Sequence, residues 1–174
     1  MEKILVVVDM QKDFVDGALG TMEAAGIVDA VVSRIRNFEG RIFATMDTHG
    51  ENYLETEEGK RLPVPHCISG TPGWKLDGRV QEALLGKNFK IIEKPTFGST
   101  ALVEELRRIQ EQEEIAVELL GLCTDICVVS NALLLKAHFP EMPVCVNEAC
   151  CAGVTPKTHK AALETMKMCQ IDVI

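Results

Sequence analysis

Short unbroken apolar runs alternate along the chain with stretches in which apolar residues recur every three or four positions. Lys3–Val8 (KILVVV) is a near-continuous apolar run, the pattern of a strand covered on both faces. Over Ile27–Phe38 the positions Val28, Val31, Val32 and Ile35 share one side of a helix. Arg41–Met46 reads as the next strand, Lys90–Glu93 as a short one, and Thr100–Gln112 as a helix. Ile115–Gly121 is a strand, Cys127–Phe139 a helix and Met142–Val146 a strand. Thr155–Met168 reads as a helix with Thr155 as N-cap and Pro156 at the first helical position, where its missing N–H costs nothing. Ile171–Ile174 forms a final strand. Residues 48–78 have no sustained period and are rich in Gly, Pro and charge; a loop of that length in a compact domain is usually functional.

Strand–helix alternation predicts an α/β fold: a three-layer α/β/α arrangement, with a mostly parallel central sheet of about six strands, in a single domain over residues 1–174. Ligands of such sheets bind beyond the carboxyl ends of the strands. Asp9 ends the first predicted strand, Asp47 the second and Lys94 the third, and the Gly121–Cys127 segment follows the fourth. These groups are expected to converge on one edge of the sheet.

Composition narrows the partners. A 174-residue chain with 47% hydrophobic and 25% charged residues has the balance of a globular domain and not of a disordered one. Eighteen basic against 26 acidic residues give a net charge of −8, with no basic cluster, which argues against binding nucleic acid or anionic lipid. No apolar run reaches the ~18 residues of a membrane span, and the start lacks the pattern of a signal peptide, so a cytoplasmic location is expected. Seven cysteines without a C-x-x-C pair fit that reducing compartment. Cys67, Cys145, Cys150, Cys151 and Cys169 read as small core or subsurface residues. The apolar Ala132–Leu135 stretch suits either the core or a homo-oligomer interface, with core preferred.

Two constellations carry chemistry. Cys127 falls at the predicted start of a helix, where the macrodipole and free N–H groups are expected to lower a thiol pKa, and the turn before it offers N–H donors to an oxyanion. An Asp held beside a Lys can serve such a thiol as base, and Asp9 and Lys94 fit those parts. Asp47 and His49, spaced i, i+2, together with His66 supply a ligand set for zinc, iron or manganese, with Glu57 or Glu58 as a further donor. His138 and His159 lie on predicted helices and are expected to be exposed.

Asp9-Met10-Gln11-Lys12-Asp13-Phe14 resembles the D-x-Q-x-D-F opening of the isochorismatase-like cysteine hydrolases. Glu93–Ser99 resembles their lysine segment and Gly121–Val128 their nucleophile turn, so the resemblance covers nearly the whole chain. It implies that Cys127 is the nucleophile, Asp9 its base and Lys94 their partner, with the N–H groups of Cys123 and Cys127 as oxyanion hole and a cis peptide at Leu122–Cys123. Asp47, His49 and His66 match the metal triad of the nicotinamidase branch. That match implies one divalent ion, zinc first, gripping the ring of nicotinamide, and a place in NAD salvage. Phe14, Phe97 and Trp74 are the aromatic residues expected at the substrate ring. Cys123 departs from the usual Ala of that turn and suggests a disulfide with Cys127 on oxidation. Another small amide or carbamoyl substrate, and a catalytically idle metal-binding module, remain the alternatives.

Overall fold

Five consecutive side chains, Ile4–Val8, are fully buried because the strand that carries them, β1 (Glu2–Val8), is covered on both faces. The computed structural model describes residues 1–174. After β1 come a single turn of helix, α1 (Lys12–Val15), then α2 (Met22–Asn37) and β2 (Arg41–Asp47). Helix α2 begins at Met22, ahead of the expected Ile27, because the Thr21 hydroxyl accepts the Ala24 N–H at 3.0 Å and caps it.

The aperiodic stretch is not featureless. It holds a 3₁₀ turn (Tyr53–Glu55), the short helix α3 (Glu57–Arg61) capped by Thr56, and then α4 (Gly78–Leu84) capped by Asp77. Next follow β3 (Phe89–Lys94), α5 (Thr100–Gln110) and β4 (Ile115–Leu122). A π-helical turn (Thr124–Val128) leads into α6 (Val129–His138), so Cys127 lies within that turn, just ahead of the regular helix. The chain ends with β5 (Val144–Ala152), α7 (Pro156–Met168) and β6 (Asp172–Val173), and Thr155 caps α7 as expected.

All six strands are parallel, in the order β3-β2-β1-β4-β5-β6. Helix α2 packs on α4, and α6 packs on both α5 and α7, which places helical layers on the two sides of the sheet. The chain winds outward from β1 to β3, then returns to lay β4 on the other side of β1. A crevice opens at the carboxyl ends of β1 and β4, where the winding reverses.

Register fixes what meets there. Val8 pairs with Thr45 on one side and Gly121 on the other, and Asp47 pairs with Lys94. Gly121 has φ +118°, and a Cβ there would sit 2.1 Å from the Val8 carbonyl oxygen. Only glycine lets β4 approach β1 this closely.

Candidate active site

Asp9, the first residue beyond β1, has φ +47° and no solvent exposure. Thr45 donates its hydroxyl to Asp9 Oδ1 at 2.6 Å, which turns the other oxygen, Oδ2, toward Lys94 Nζ at 2.7 Å. That contact is a fully buried ion pair, and a carboxylate oxygen can accept a further donor beside it. Burial is the main force on the Asp9 carboxyl and raises it above the usual range, although Lys94 opposes the rise.

Lys94 is 1% exposed and not a surface charge. Its Nζ donates to the Thr96 carbonyl at 3.0 Å, and lies 3.5 Å from both Cys127 Sγ and Asp47 Oδ1. Burial works against the ammonium, but Asp9, Cys127 and Asp47 outweigh it and raise the group further. Adjacent strands are about 4.8 Å apart, so from β3 the amine must cross the width of β2 to meet Asp9. A four-carbon stem reaches that far.

Cys127 is 5% exposed, and here the structure corrects an expectation. Burial first, then Asp9, push its thiol above the ordinary value, opposite to the lowering expected from a helix start. Its sulfur shares one ammonium with the Asp9 carboxylate. The Leu122–Cys123 peptide is cis. The Cys123 carbonyl accepts the N–H groups of Ile126 and Val128, at 3.1 and 3.0 Å, which forms the π turn. The Cys123 N–H makes no hydrogen bond within the protein.

The second constellation also assembles. Asp47, His49, Glu58 and His66 bring one donor atom each within 4.8 Å of one another. Glu58, and not Glu57, completes the group; Glu57 pairs with Lys60. Asp47 Oδ2 is 2.9 Å from His49 Nε2 and 3.7 Å from His66 Nε2, while Glu58 Oε1 is 3.7 and 3.5 Å from the same two nitrogens. Donors bound to one zinc at its usual distances stand about 3.0–3.4 Å apart, so the set fits such an ion with little movement. His66 Nδ1 lies 2.8 Å from the Val64 carbonyl, which can only accept, so Nδ1 carries the hydrogen and Nε2 offers its lone pair inward. For Asp47, burial would raise the carboxyl, but His49, His66 and Lys94 outweigh it and hold the group ionised, as a ligand must be.

Between the two groups opens a cavity of about 470 Å³. Phe14 and Phe97 line it, with Asp47, Glu58, His66, Cys123 and Cys127 at its polar side. Phe97 is 45% exposed and stands at the rim. Trp74 is not on the cavity wall; its indole donates to Thr48 Oγ1 at 2.9 Å and anchors the loop.

Several residues outside the two constellations support them. Buried Tyr53 packs edge-on against the rings of His49 and His66, at 4.8 and 5.0 Å. Asp13 accepts the Cys67 N–H at 2.8 Å and pins the residue after His66. Asn131 donates to the carbonyls of Phe97 and Cys127, and ties the cavity rim to the turn. Asp13 is the second acid of the D-x-Q-x-D-F opening, and Asn131 is a polar residue in an otherwise apolar helix stretch; Tyr53 carries no local signal. His159 is half-buried and bonded to Thr124, unlike the exposed His138, and Cys169 is exposed instead of subsurface. All seven cysteines are free, and no helix is long and apolar enough to cross a membrane.

The family model described as the isochorismatase domain matches residues 3–174. A nicotinamidase/pyrazinamidase of Mycobacterium tuberculosis is 28% identical over 187 aligned positions, covering 99% of this chain and 98% of that protein. The crystal structure of a nicotinamidase/pyrazinamidase from Bacillus subtilis superposes with a TM-score of 0.85 at 29% identity, over 99% of both chains. A pyrazinamidase of Pyrococcus horikoshii, solved in complex with zinc, gives 0.81 at 30% identity, over 100% of this chain and 99% of that one.

Proposed function

Because the chain belongs to the isochorismatase domain family, we propose that it hydrolyses nicotinamide to nicotinate and ammonia through a thioester on Cys127. The observation that carries this reading is the meeting of Asp9 and Cys127 at the buried Lys94 ammonium, with Cys127 on the wall of a cavity that also presents Asp47, Glu58 and His66 of the four-donor group. Its relatives among the nicotinamidases support the choice of amide.

Asp9 takes the Cys127 proton on Oδ2, and the sulfur attacks the carboxamide carbon. The N–H groups of Cys123 and Cys127 hold the resulting oxyanion, a service worth about 10²–10³ in kcat for each donor. Asp9 returns the proton to the departing nitrogen, ammonia leaves, and the acyl group stays on sulfur. Water, deprotonated by Asp9, then attacks the thioester; the acid is released and the proton goes back to Cys127. Lys94 keeps Asp9 and the thiolate paired with one positive charge through each transfer. Phe14 and Phe97 bound the pyridine ring. Asp47, His49, Glu58 and His66 would hold one divalent ion, which would supply a Lewis acid for the ring nitrogen; the zinc-complexed pyrazinamidase relative supports zinc among the ions this donor set suits. Seven free thiols suit a reducing compartment, so we assign the activity to cytoplasmic pyridine-nucleotide salvage.

Ammonia release from nicotinamide by purified protein, with and without a chelator and beside Cys127→Ala, tests the reading. Activity lost in both the variant and the chelated sample supports it. No release by a zinc-loaded sample whose Cys127 still alkylates overturns nicotinamide as substrate and turns attention to other amide or carbamoyl compounds.

A further inference from the structure

We propose that His159 is a positioning residue for the turn that carries Cys127, acting through the Thr124 hydroxyl; the inference rests on the amidase reading above. Thr124 is fully buried, and its hydroxyl has one hydrogen-bond partner, His159 Nδ1 at 2.8 Å. Thr124 directly follows Cys123, whose N–H has no protein acceptor and whose carbonyl organises the π turn. The next residue, Asp125, accepts the Val154 N–H with both carboxylate oxygens at 3.1 Å. Two neighbouring residues of the nucleophile turn are thus tied to one place, the junction between β5 and α7.

The imidazole cannot easily drift away from its partner. Its backbone N–H is bonded to Thr155 at 2.9 Å within the capped first turn of α7, and Gly153 lies so close that a Cβ there would be 2.9 Å from His159 Cα and Cβ. Removing the ring leaves a buried hydroxyl without a partner, and the turn must shift to satisfy it. Such a shift moves the Cys123 N–H and the Cys127 sulfur together, and misplacement by about 1 Å at a reacting centre can cost about 10²-fold. His159 is absent from the cavity wall, so the loss falls on kcat and not on KM.

The test compares His159→Ala, His159→Asn, Thr124→Val and the double variant His159→Ala/Thr124→Val. We expect kcat on nicotinamide to fall about tenfold or more in His159→Ala with KM within about twofold. His159→Asn, which keeps an amide near the Nδ1 position, restores most of the rate. Thr124→Val costs as much as His159→Ala, and the double variant costs no more than either. An unchanged kcat in His159→Ala, a KM that rises in parallel, or His159→Asn no better than alanine overturns the role. Alkylation of Cys127 by iodoacetamide, followed on its own peptide by mass spectrometry, reads the turn without substrate. If the parent protein releases no ammonia from nicotinamide, the amidase reading fails. The positioning role then stands if His159→Ala changes the alkylation rate several-fold and His159→Asn restores it, and falls if it does not.

Discussion

The Gln11 side chain pairs with the backbone of Asp47 as a strand would: its Oε1 accepts the Asp47 N–H at 2.7 Å, and its Nε2 donates to the Asp47 carbonyl at 2.8 Å. The β1–β2 ladder ends at Val8 and Thr45, so past that point a side chain continues the pairing. The same Nε2 also donates to the Trp74 carbonyl, joining the loop to the strand end.

Gln11→Ala removes both partners of the Asp47 peptide groups. We expect zinc affinity to fall about 10–100-fold, the usual cost of losing support behind a ligand, as measured by competition with a chromophoric chelator. An affinity within twofold of the parent protein would mean that the loop holds Asp47 without Gln11.

Asp9→Asn leaves the cavity intact but takes away the proton acceptor beside Cys127. We expect kcat for ammonia release to drop about 10²–10⁴-fold. A drop below tenfold would show that another group deprotonates the thiol.

Removal of the ion by a chelator is expected to act on substrate affinity. KM for nicotinamide should rise by about tenfold or more, because a ring anchor is lost, while Cys127 alkylation by iodoacetamide stays within about twofold. Equal losses in both measurements would instead indicate that the ion supports the thiol's surroundings.

Glu118 tests the fold away from the site. Burial works to raise its carboxyl, but the bidentate Arg34 guanidinium and the Asn147 amide outweigh it and hold it below the usual range. A depressed carboxylate adds stability that is fully present above its unfolded value, near 4.3, and is lost as pH falls through the lower folded one. Glu118→Gln should therefore cost about 1–3 kcal/mol at pH 7, and the gap in Tm from the parent protein should close as pH drops below about 4. A gap independent of pH would assign the effect to packing.

Gly121→Ala places a methyl group against the Val8 carbonyl, a backbone atom that cannot move aside. We expect a loss of about 2–4 kcal/mol, read as a fall in Tm of about 5–15 °C.

The strand ends were legible because a charged residue that closes an apolar run has little structural reason to be there. Asp9, Asp47 and Lys94 stood out in this way, and the alternation of elements gave the sheet. Glu58 could not be told from Glu57, since a five-residue helix is too short to show which face turns inward. Helix α4 escaped notice for the same reason, with only Val80, Ala83 and Leu84 pointing to the core. The direction of the Cys127 shift depends on burial by segments distant in sequence, which no local pattern records. The Thr124–His159 contact spans 35 positions and was equally silent.

Lys94 works as a ruler. It rises from β3 and delivers its charge at β1, so residues rooted two strands apart meet, with Asp47 of the intervening strand 3.5 Å from the same amine. A shorter amine stops over β2, and a guanidinium is too broad for a place that must touch an oxygen, a sulfur and a carbonyl at once. Anyone grafting this trio onto another parallel sheet must therefore choose strands by their spatial order, since strands consecutive in sequence serve only where they lie side by side in that order.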